Sequence, residues 1–584
     1  MMEAKVINPA EEASVVCLNK VIGTLKARKS FRLEAGAGAG KTYTLIKALK
    51  FLIDADGPQF LKANKRIACI TYTNVAKDEI QSRTDNHPVV YAETIHAFCW
   101  DLIKGFQKSL RSFLPSLTDR WGERCAETAL VHQEVIYNLG YPKLTADEAF
   151  LHHDDVIKLM ALLLGDAKFR NVVKTRFPVI LIDEYQDTSR LLAPAIVNYF
   201  IEGVNGPLIG FFGDHWQKIY GSSSIGLITA PAEKMEVIGK NANFRSDRLI
   251  VESLNRMRPE LPQNPADPTS LGEVTIFHSN NWTGLRRTEA HWKDDLPEIA
   301  AHDFMSSARI ALEKKGWSFN AGETKILMLT NNVLAAEQGY HHLLSVFPDT
   351  EDLLKKNHPY ISFLVDIIEP AALAFNAGKY GEMFKYLNLK SPKIRIHADK
   401  VQWHQELVTL VKLRETGNIG QVIDHIKKIK RPRLPERILN SEKEFVEILL
   451  KKEEERTEEE TIKFTRLQTI RNVPFQELSA FSNFVDDKTL FSTKHGVKGA
   501  QFENVMVILG RGWNLYNWNQ MLEWASAVPK DKIDSFERNR NLFYVACSRP
   551  QKRLALVFTQ KLSEAALTQL TTWFRVDTIA PNLT

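Results

Sequence analysis

A chain of 584 residues, 44% apolar and 25% charged, is too long for one hydrophobic core and too apolar for a disordered polymer; three or four folded domains are expected. Its net charge of +6 and pI near 8.8 are a modest basic bias, compatible with a phosphate-backbone partner but too weak to require one. Five scattered cysteines with no Cys-x-x-Cys pair argue against zinc ribbons, iron–sulfur clusters and a disulfide scaffold, and no apolar run approaches membrane-spanning length. The opening Met1-Met2-Glu3-Ala4-Lys5 lacks the apolar core of a secretion signal, so a cytoplasmic protein with no membrane partner is expected.

From about residue 30 to 242, strand-like runs alternate with helix-like ones, the pattern of a parallel α/β sheet. The strand-like Phe31-Arg32-Leu33-Glu34 runs into Ala35-Gly36-Ala37-Gly38-Ala39-Gly40-Lys41-Thr42, and Tyr43 to Leu49 reads as a helix. Small residues let the backbone pass close to a polyphosphate with its N–H groups turned inward, and the helix N-terminus faces the anion. Lys41 is expected to reach the β- and γ-phosphates of ATP and the Thr42 hydroxyl to complete a Mg²⁺ shell. Such loops also serve as tight turns; the Gly-Lys-Thr ending between strand and helix favours phosphate.

The next strand, Arg66-Ile67-Ala68-Cys69-Ile70, leads into Thr71-Tyr72-Thr73-Asn74-Val75-Ala76, and Thr94-Ile95-His96-Ala97-Phe98 follows. Tyr72 offers a plane on which a base can stack, or a ring for the core; Thr73, Asn74, Thr94 and His96 offer polar groups for backbone phosphates. Residues 101 to 175 look wholly helical. Within them His152-His153-Asp154-Asp155 has metal-ligand residue types, but capping of a helix is the better reading. The buried-strand run Val179-Ile180-Leu181-Ile182 ends in Asp183-Glu184, which suits one ligand to Mg²⁺ (Asp183) and one general base toward water (Glu184). Further strands are expected at Leu208 to Phe212 and Met235 to Ile238.

A second α/β unit begins near Asn243, with strands at Val274 to Phe277, Lys325 to Leu329, Val505 to Ile508 and Leu554 to Val557. Residues 346 to 486 interrupt it with helix-like sequence. There, the basic cluster Lys427 to Arg433 grips duplex DNA or an anionic surface of a partner, or forms a solvated face, and Lys451 to Glu460 reads as an exposed helix. Trp513, Trp518 and Trp524 add stacking planes or core.

The loop Ala35 to Thr42 and Ile182-Asp183-Glu184-Tyr185-Gln186-Asp187-Thr188 closely resemble the first two motifs of the UvrD/Rep type of superfamily 1 DNA helicase. In family order come the segments at Thr71 and Thr94, then Gly213-Asp214-His215-Trp216-Gln217-Lys218-Ile219-Tyr220, then Asn243-Phe244-Arg245-Ser246. Thr493-Lys494-His495-Gly496-Val497-Lys498-Gly499-Ala500-Gln501-Phe502 and Glu537 to Arg549 complete the series.

The resemblance implies two RecA-like parallel-sheet domains, each with a mainly helical insertion. The first comprises residues 1–100 and 176–242, interrupted by 101–175; the second comprises 243–345 and 487–584, interrupted by 346–486. It further implies an ATP site between the two, with Gln217, Arg245 and Arg549 on the γ-phosphate, Phe244 stacked on the adenine and Gln501 near the ribose. Tyr72, Tyr220 and His495 join the DNA contacts. Three family features are absent: no glutamine stands between Asn8 and Lys29 to read adenine, Gln501 replaces a glutamate, and Gly221-Ser222-Ser223 replaces a Trp-Arg pair. The expected activity is ATP-dependent movement on single-stranded DNA, 3′ to 5′, toward duplex junctions. The alternative is a nucleotide-gated DNA sensor that regulates a separate nuclease in repair or anti-phage defence. The chain after Arg549 is short, and no fused nuclease domain is expected there.

Overall fold

The computed structural model describes residues 8–127, 130–138, 142–204, 206–219, 223–289, 291–320, 322–328, 338–347, 353–354, 356–388, 394–486, 489, 491–492, 501–511 and 516–581. After the N-terminal helix Pro9–Lys26, three strands form in turn: β1 (Ser30–Ala35), β2 (Ile67–Thr71) and β3 (Val90–Thr94). Helix Lys41–Lys62 connects β1 to β2, and helix Asn74–Arg83 connects β2 to β3. Such crossovers force parallel pairing, because a hairpin cannot bring the next strand back in the same direction.

Helix Ile95–Ile103 runs through residue 100, and the insertion that follows is not wholly helical. Three short strands, β4 (Glu134–Ile136), β5 (Lys143–Leu144) and β6 (Glu148–Phe150), make a small sheet in the order β4-β6-β5. Strands of two or three residues are too short to show a period in sequence; Val135 and Ala149 are buried beneath them. The segment His152 to Asp155 is a helix start, as read. His152 caps helix His153–Leu163, and the Asp155 carboxylate accepts from the His152 N–H at 2.9 Å and from the Trp121 indole at 3.0 Å.

The chain then returns to the first sheet through β7 (Val179–Asp183), β8 (Leu208–Gly213) and β9 (Met235–Lys240). The completed order β3-β2-β7-β8-β1-β9 is parallel throughout. Alternate side chains feed two cores: Ile180, Ile182, Ile209 and Phe211 pack on one face, and Phe31, Leu33, Leu181 and Phe212 on the other. That two-sided burial is why these strands read as unbroken apolar runs.

A two-stranded link, β10 (Ala242–Asn243) with β11 (Asn264–Pro265), leads to a second parallel sheet. It is built from β12 (Glu273–His278), β13 (Thr324–Met328), β14 (Phe491–Ser492), β15 (Phe502–Leu509), β16 (Pro550–Phe558) and β17 (Thr578–Ile579), in the order β14-β13-β15-β16-β12-β17. The protein therefore has two parallel α/β units, as expected. One face of this sheet packs on helices of the second insertion; the other packs on helices Arg248–Met257, Ile533–Cys547 and Glu564–Phe574.

The described part of the second insertion is helical, including His397–Thr416, Ile419–Ile429, Glu436–Leu449 and Phe475–Val485. Within its basic cluster Lys427, Lys428, Lys430 and Arg433 face solvent, while Arg431 lies over Trp403 and pairs with Glu406 at 3.2 Å. The helix expected over Lys451 to Glu460 begins only at Glu458, where Thr457 and Glu460 cap each other's backbone. Trp518 is fully buried and Trp524 packs against the same core, so neither is a free stacking plane. Trp513 lies outside the described residues. Among the described residues, no helix is long and apolar enough to cross a membrane.

Candidate nucleotide site and adjoining groove

Parallel strands bring the loops after their C-terminal ends to one edge of the sheet, and the middle strands β1, β7 and β8 place three candidate segments side by side there. The loop after β1 turns through Gly38 and Gly40, whose φ of +73° and +71° are left-handed. Helix Lys41–Lys62 begins at Gly40 with no side chain capping its first turn, so its N–H groups are available to an anion. Ala35, Ala37 and Ala39 are buried, and Thr42 is half-buried in the first turn.

Lys41 reaches across to the loop after β7, 2.6 Å from Glu184 and 3.6 Å from Asp183. Burial works against its charge, but these carboxylates hold its ammonium above the ordinary lysine range. Glu184 sits at a φ of 49°, a left-handed conformation that L side chains adopt at a cost and that recurs at functional sites. Its carboxylate also accepts from the Gln186 amide at 2.5 Å. Gln186 in turn accepts from the Asp214 N–H at 3.1 Å, and Asp214 accepts from the Gln217 amide at 2.9 Å. One hydrogen-bonded chain thus links the phosphate loop, the Asp183-Glu184 pair and Gln217. Thr42 lies in the first turn of the helix after β1 and Asp183 ends β7, with β8 between the two strands, and this hydroxyl–carboxylate pair is of the hard oxygen type that suits Mg²⁺.

The second unit supplies the cations. Gly38 leaves so little room that a Cβ there would lie 2.7 Å from the Cβ of Arg245. Arg245 donates to the Ser548 carbonyl at 3.0 Å, and the Arg549 guanidinium donates to the Ser548 hydroxyl at 3.2 Å and to the Val545 carbonyl at 2.9 Å. Burial pulls Arg549 down to about 9, with the nearby Arg245 charge adding to the effect, and pulls Arg245 down to about 10. Among the described residues, the buried Arg245 Nε has no hydrogen-bond partner. Two desolvated guanidiniums beside a phosphate loop are of the chemistry that suits a polyphosphate. Phe244 is 43% exposed with its ring beside Gly40, open to a flat ligand. Gln501 is exposed and precedes Phe502, whose N–H donates to the Arg549 carbonyl at 3.3 Å.

Sequence reasoning missed a strap around the loop. The Asn243 and Gln263 amides each donate to the Ala37 carbonyl at 3.2 Å, and the Phe244 N–H donates to the Gly38 carbonyl at 2.9 Å. Gln263 lies in no motif; its one trace in sequence is Gly36, where a Cβ would come within 2.8 Å of the Gln263 amide. Lys240, fully buried, donates to the Gly40 carbonyl at 3.0 Å and the Thr44 hydroxyl at 2.6 Å. Burial pulls Lys240 down to about 8 from 10.5. The native state therefore releases this proton near pH 8 while the unfolded chain holds it to about 10.5, so this term gains stability as pH rises between the two. The thermal midpoint of Lys240→Met relative to the parent is expected to fall as pH rises from 7 to 10.5, because only the parent gains this term. The relative shift is about 3 kcal/mol. A midpoint difference that does not vary with pH would show that Lys240 does not titrate in this range.

Next along the same edge stand the ends of β2 and β3, paired with Thr71 opposite Thr94. This register brings Thr73, Asn74, Thr94 and His96 together beside the nucleotide segments. Thr73 and Asn74 are exposed, Thr73 capping helix Asn74–Arg83; Thr94 and His96 are half-buried. His96 packs edge-on to His153 at 5.7 Å, and burial together with that second imidazole lowers its pKa. Tyr72 is half-buried: its ring packs against the core of the first unit and its hydroxyl donates to Thr188 at 2.7 Å. Tyr220 and His495 lie outside the described residues.

Two family profiles match the chain: the AAA domain over residues 19–223 and the UvrD-like helicase C-terminal domain over residues 302–561. Among curated proteins, the chain is 21% identical over 698 aligned positions to the Gabija protein GajB of Bacillus cereus (strain HuB5-5), a match that covers 97% of this chain and 98% of that protein.

Proposed function

The chain belongs to the UvrD-like helicases of superfamily 1, and from that we propose that it is an ATP-dependent motor that moves 3′ to 5′ on single-stranded DNA and opens duplex junctions. The observation that carries the reading is the approach of Arg245 of the second unit to Gly38 in the phosphate loop of the first, with Arg549 beside Arg245 and near Glu184. Closure of the cleft then depends on what lies between the units, which is how a chemical step becomes a movement.

The residues present fit ATP and Mg²⁺: Lys41 and the loop N–H groups for the β- and γ-phosphates, Thr42 and Asp183 for the metal, Phe244 for the base and Gln501 for the ribose. Bound there, Mg²⁺ neutralises phosphate charge while ATP supplies the phosphoryl group. Glu184 is the carboxylate placed to accept a proton from water once Lys41 turns from it to phosphate. Gln217, fixed by Asp214, holds that water or a phosphate oxygen, and Arg245 and Arg549 oppose the charge that develops in transfer. Thr73, Asn74, Thr94 and His96, with Tyr220 and His495, bind the strand.

Gln217→Ala is expected to cut ATP turnover strongly, and translocation at least as much, because it links Asp214 to the phosphate side. A variant that hydrolyses and unwinds at parental rates would make Gln217 a structural residue. The function itself is tested by steady-state ATPase with and without oligo-dT: stimulation by the single strand supports the motor, and indifference to it opposes the reading.

A second reading, a nucleotide-gated sensor that regulates a separate nuclease in repair or anti-phage defence, is favoured by Gly221-Ser222-Ser223 standing where the family has a Trp-Arg pair, which leaves fewer planes for stacking bases. It predicts DNA-dependent nucleotide turnover without strand separation.

A further inference from the structure

Trp216 belongs to the first unit by chain and to the second by packing. It follows β8, yet its buried indole joins Leu254, Met257 and Tyr544 in the core of the second unit. Two guanidiniums of that unit face the ring. Arg540 lies 3.9 Å and Arg258 5.2 Å from its centroid, with Tyr544 edge-on at 5.3 Å. Planar guanidinium over indole is a favourable pairing once water is excluded.

The two arginines are held differently. Arg258 donates to Asp214 at 2.6 Å and faces Glu260 at 3.3 Å and Glu34 at 3.5 Å. Arg540 makes a long ion pair, 3.8 Å to Glu537, and burial lowers its pKa. Its next residue, Asn541, donates to the carbonyls of His215 and Lys218 on either side of Trp216 and Gln217, at 3.3 and 3.4 Å. Helix Ile533–Cys547 therefore grips this segment by ring and by backbone, and the same helix ends one residue before Ser548-Arg549.

Asp214 is the hub. It accepts from Arg258, from the Trp216 N–H at 3.0 Å and from the Gln217 amide, while its own N–H leads through Gln186 to Glu184. We infer that Arg540 is a positioning residue for ATP hydrolysis: by clamping Trp216 against Arg258 it fixes Asp214, and through Asp214 the Gln217 amide and the Glu184 carboxylate. The inference rests on the function proposed above and deepens it, since it makes the first unit's water-handling groups depend on contact with the second.

The test uses the full chain with Arg540→Gln, Arg540→Lys, Trp216→Leu and Trp216→Phe. Steady-state ATPase with saturating oligo-dT gives kcat and KM separately, and thermal midpoints are taken alongside. Arg540→Gln and Trp216→Leu are expected to lower kcat about tenfold with KM held within about twofold, since positioning acts on the reacting state. Arg540→Lys keeps the charge and Trp216→Phe keeps an aromatic face, and each should recover much of the rate at a near-parental midpoint. Parental kcat in Arg540→Gln and Trp216→Leu, or a loss confined to midpoint, overturns the clamp and makes it packing only. If the harsher variants do not fold, a kcat unchanged in both Arg540→Lys and Trp216→Phe overturns it, and a partial loss in either supports it. A parent without ATPase overturns the proposed function and the clamp together, whereas an active parent with unaffected variants overturns the clamp alone.

Discussion

Arg549→Ala is expected to lower DNA-stimulated ATP turnover by on the order of 10³–10⁵ while nucleotide affinity changes far less. Arg549 reaches the site from the second unit and is almost completely buried, with Arg245 beside it. Burial makes its charge costly, and that cost is repaid most where phosphoryl charge is greatest, which is the transition state. Arg549→Lys should rescue poorly. The guanidinium bonds Val545 and Ser548, and an ammonium cannot reproduce that fork. Titration of nucleotide binding beside steady-state ATPase separates the two effects. Normal turnover, or a defect explained by unfolding, would remove Arg549 from the chemistry.

Lys41→Ala is expected to abolish turnover in a chain that stays folded and still binds single strands. Lys41 pairs with Glu184 and Asp183, and its ammonium is the group expected to neutralise phosphate. Without it, two carboxylates face an incoming polyanion with the nearest cation gone, so nucleotide affinity falls together with turnover. That joint loss contrasts with the selective kcat loss at Arg549. Near-parental DNA-stimulated ATPase in Lys41→Ala would refute the phosphate-loop assignment.

What was legible in the sequence follows from how locally each role is specified. The phosphate loop shows because close approach of backbone to phosphate admits only small residues over a short stretch, and Asp183-Glu184 shows because a buried strand ends in charge. His152 to Asp155 could be read as a helix start for the same reason, since a cap is set by neighbours three residues away. Lys240, Gln263 and Arg258 were not legible. Their work depends on approaching Gly40, Ala37 and Asp214 across the fold, and each alone resembles any other polar residue. Tyr72 illustrates the converse: its place in a motif leaves open a stacking plane or a ring for the core, and only packing decides how much of the ring is covered, here about half-buried against the first unit. The small sheet at 134–150 was invisible because its strands are too short for a period to develop.

The central claim is that hydrolysis at a site shared by two parallel-sheet units drives directed movement on single-stranded DNA. Strand displacement on 3′-tailed and 5′-tailed duplexes, with ATPase followed in the same reactions, tests it most directly. The account predicts ATP-dependent displacement from the 3′-tailed duplex, little from the 5′-tailed one, and loss of both hydrolysis and displacement in Arg549→Ala. DNA-stimulated hydrolysis with no displacement from either substrate would contradict the motor and leave the sensor.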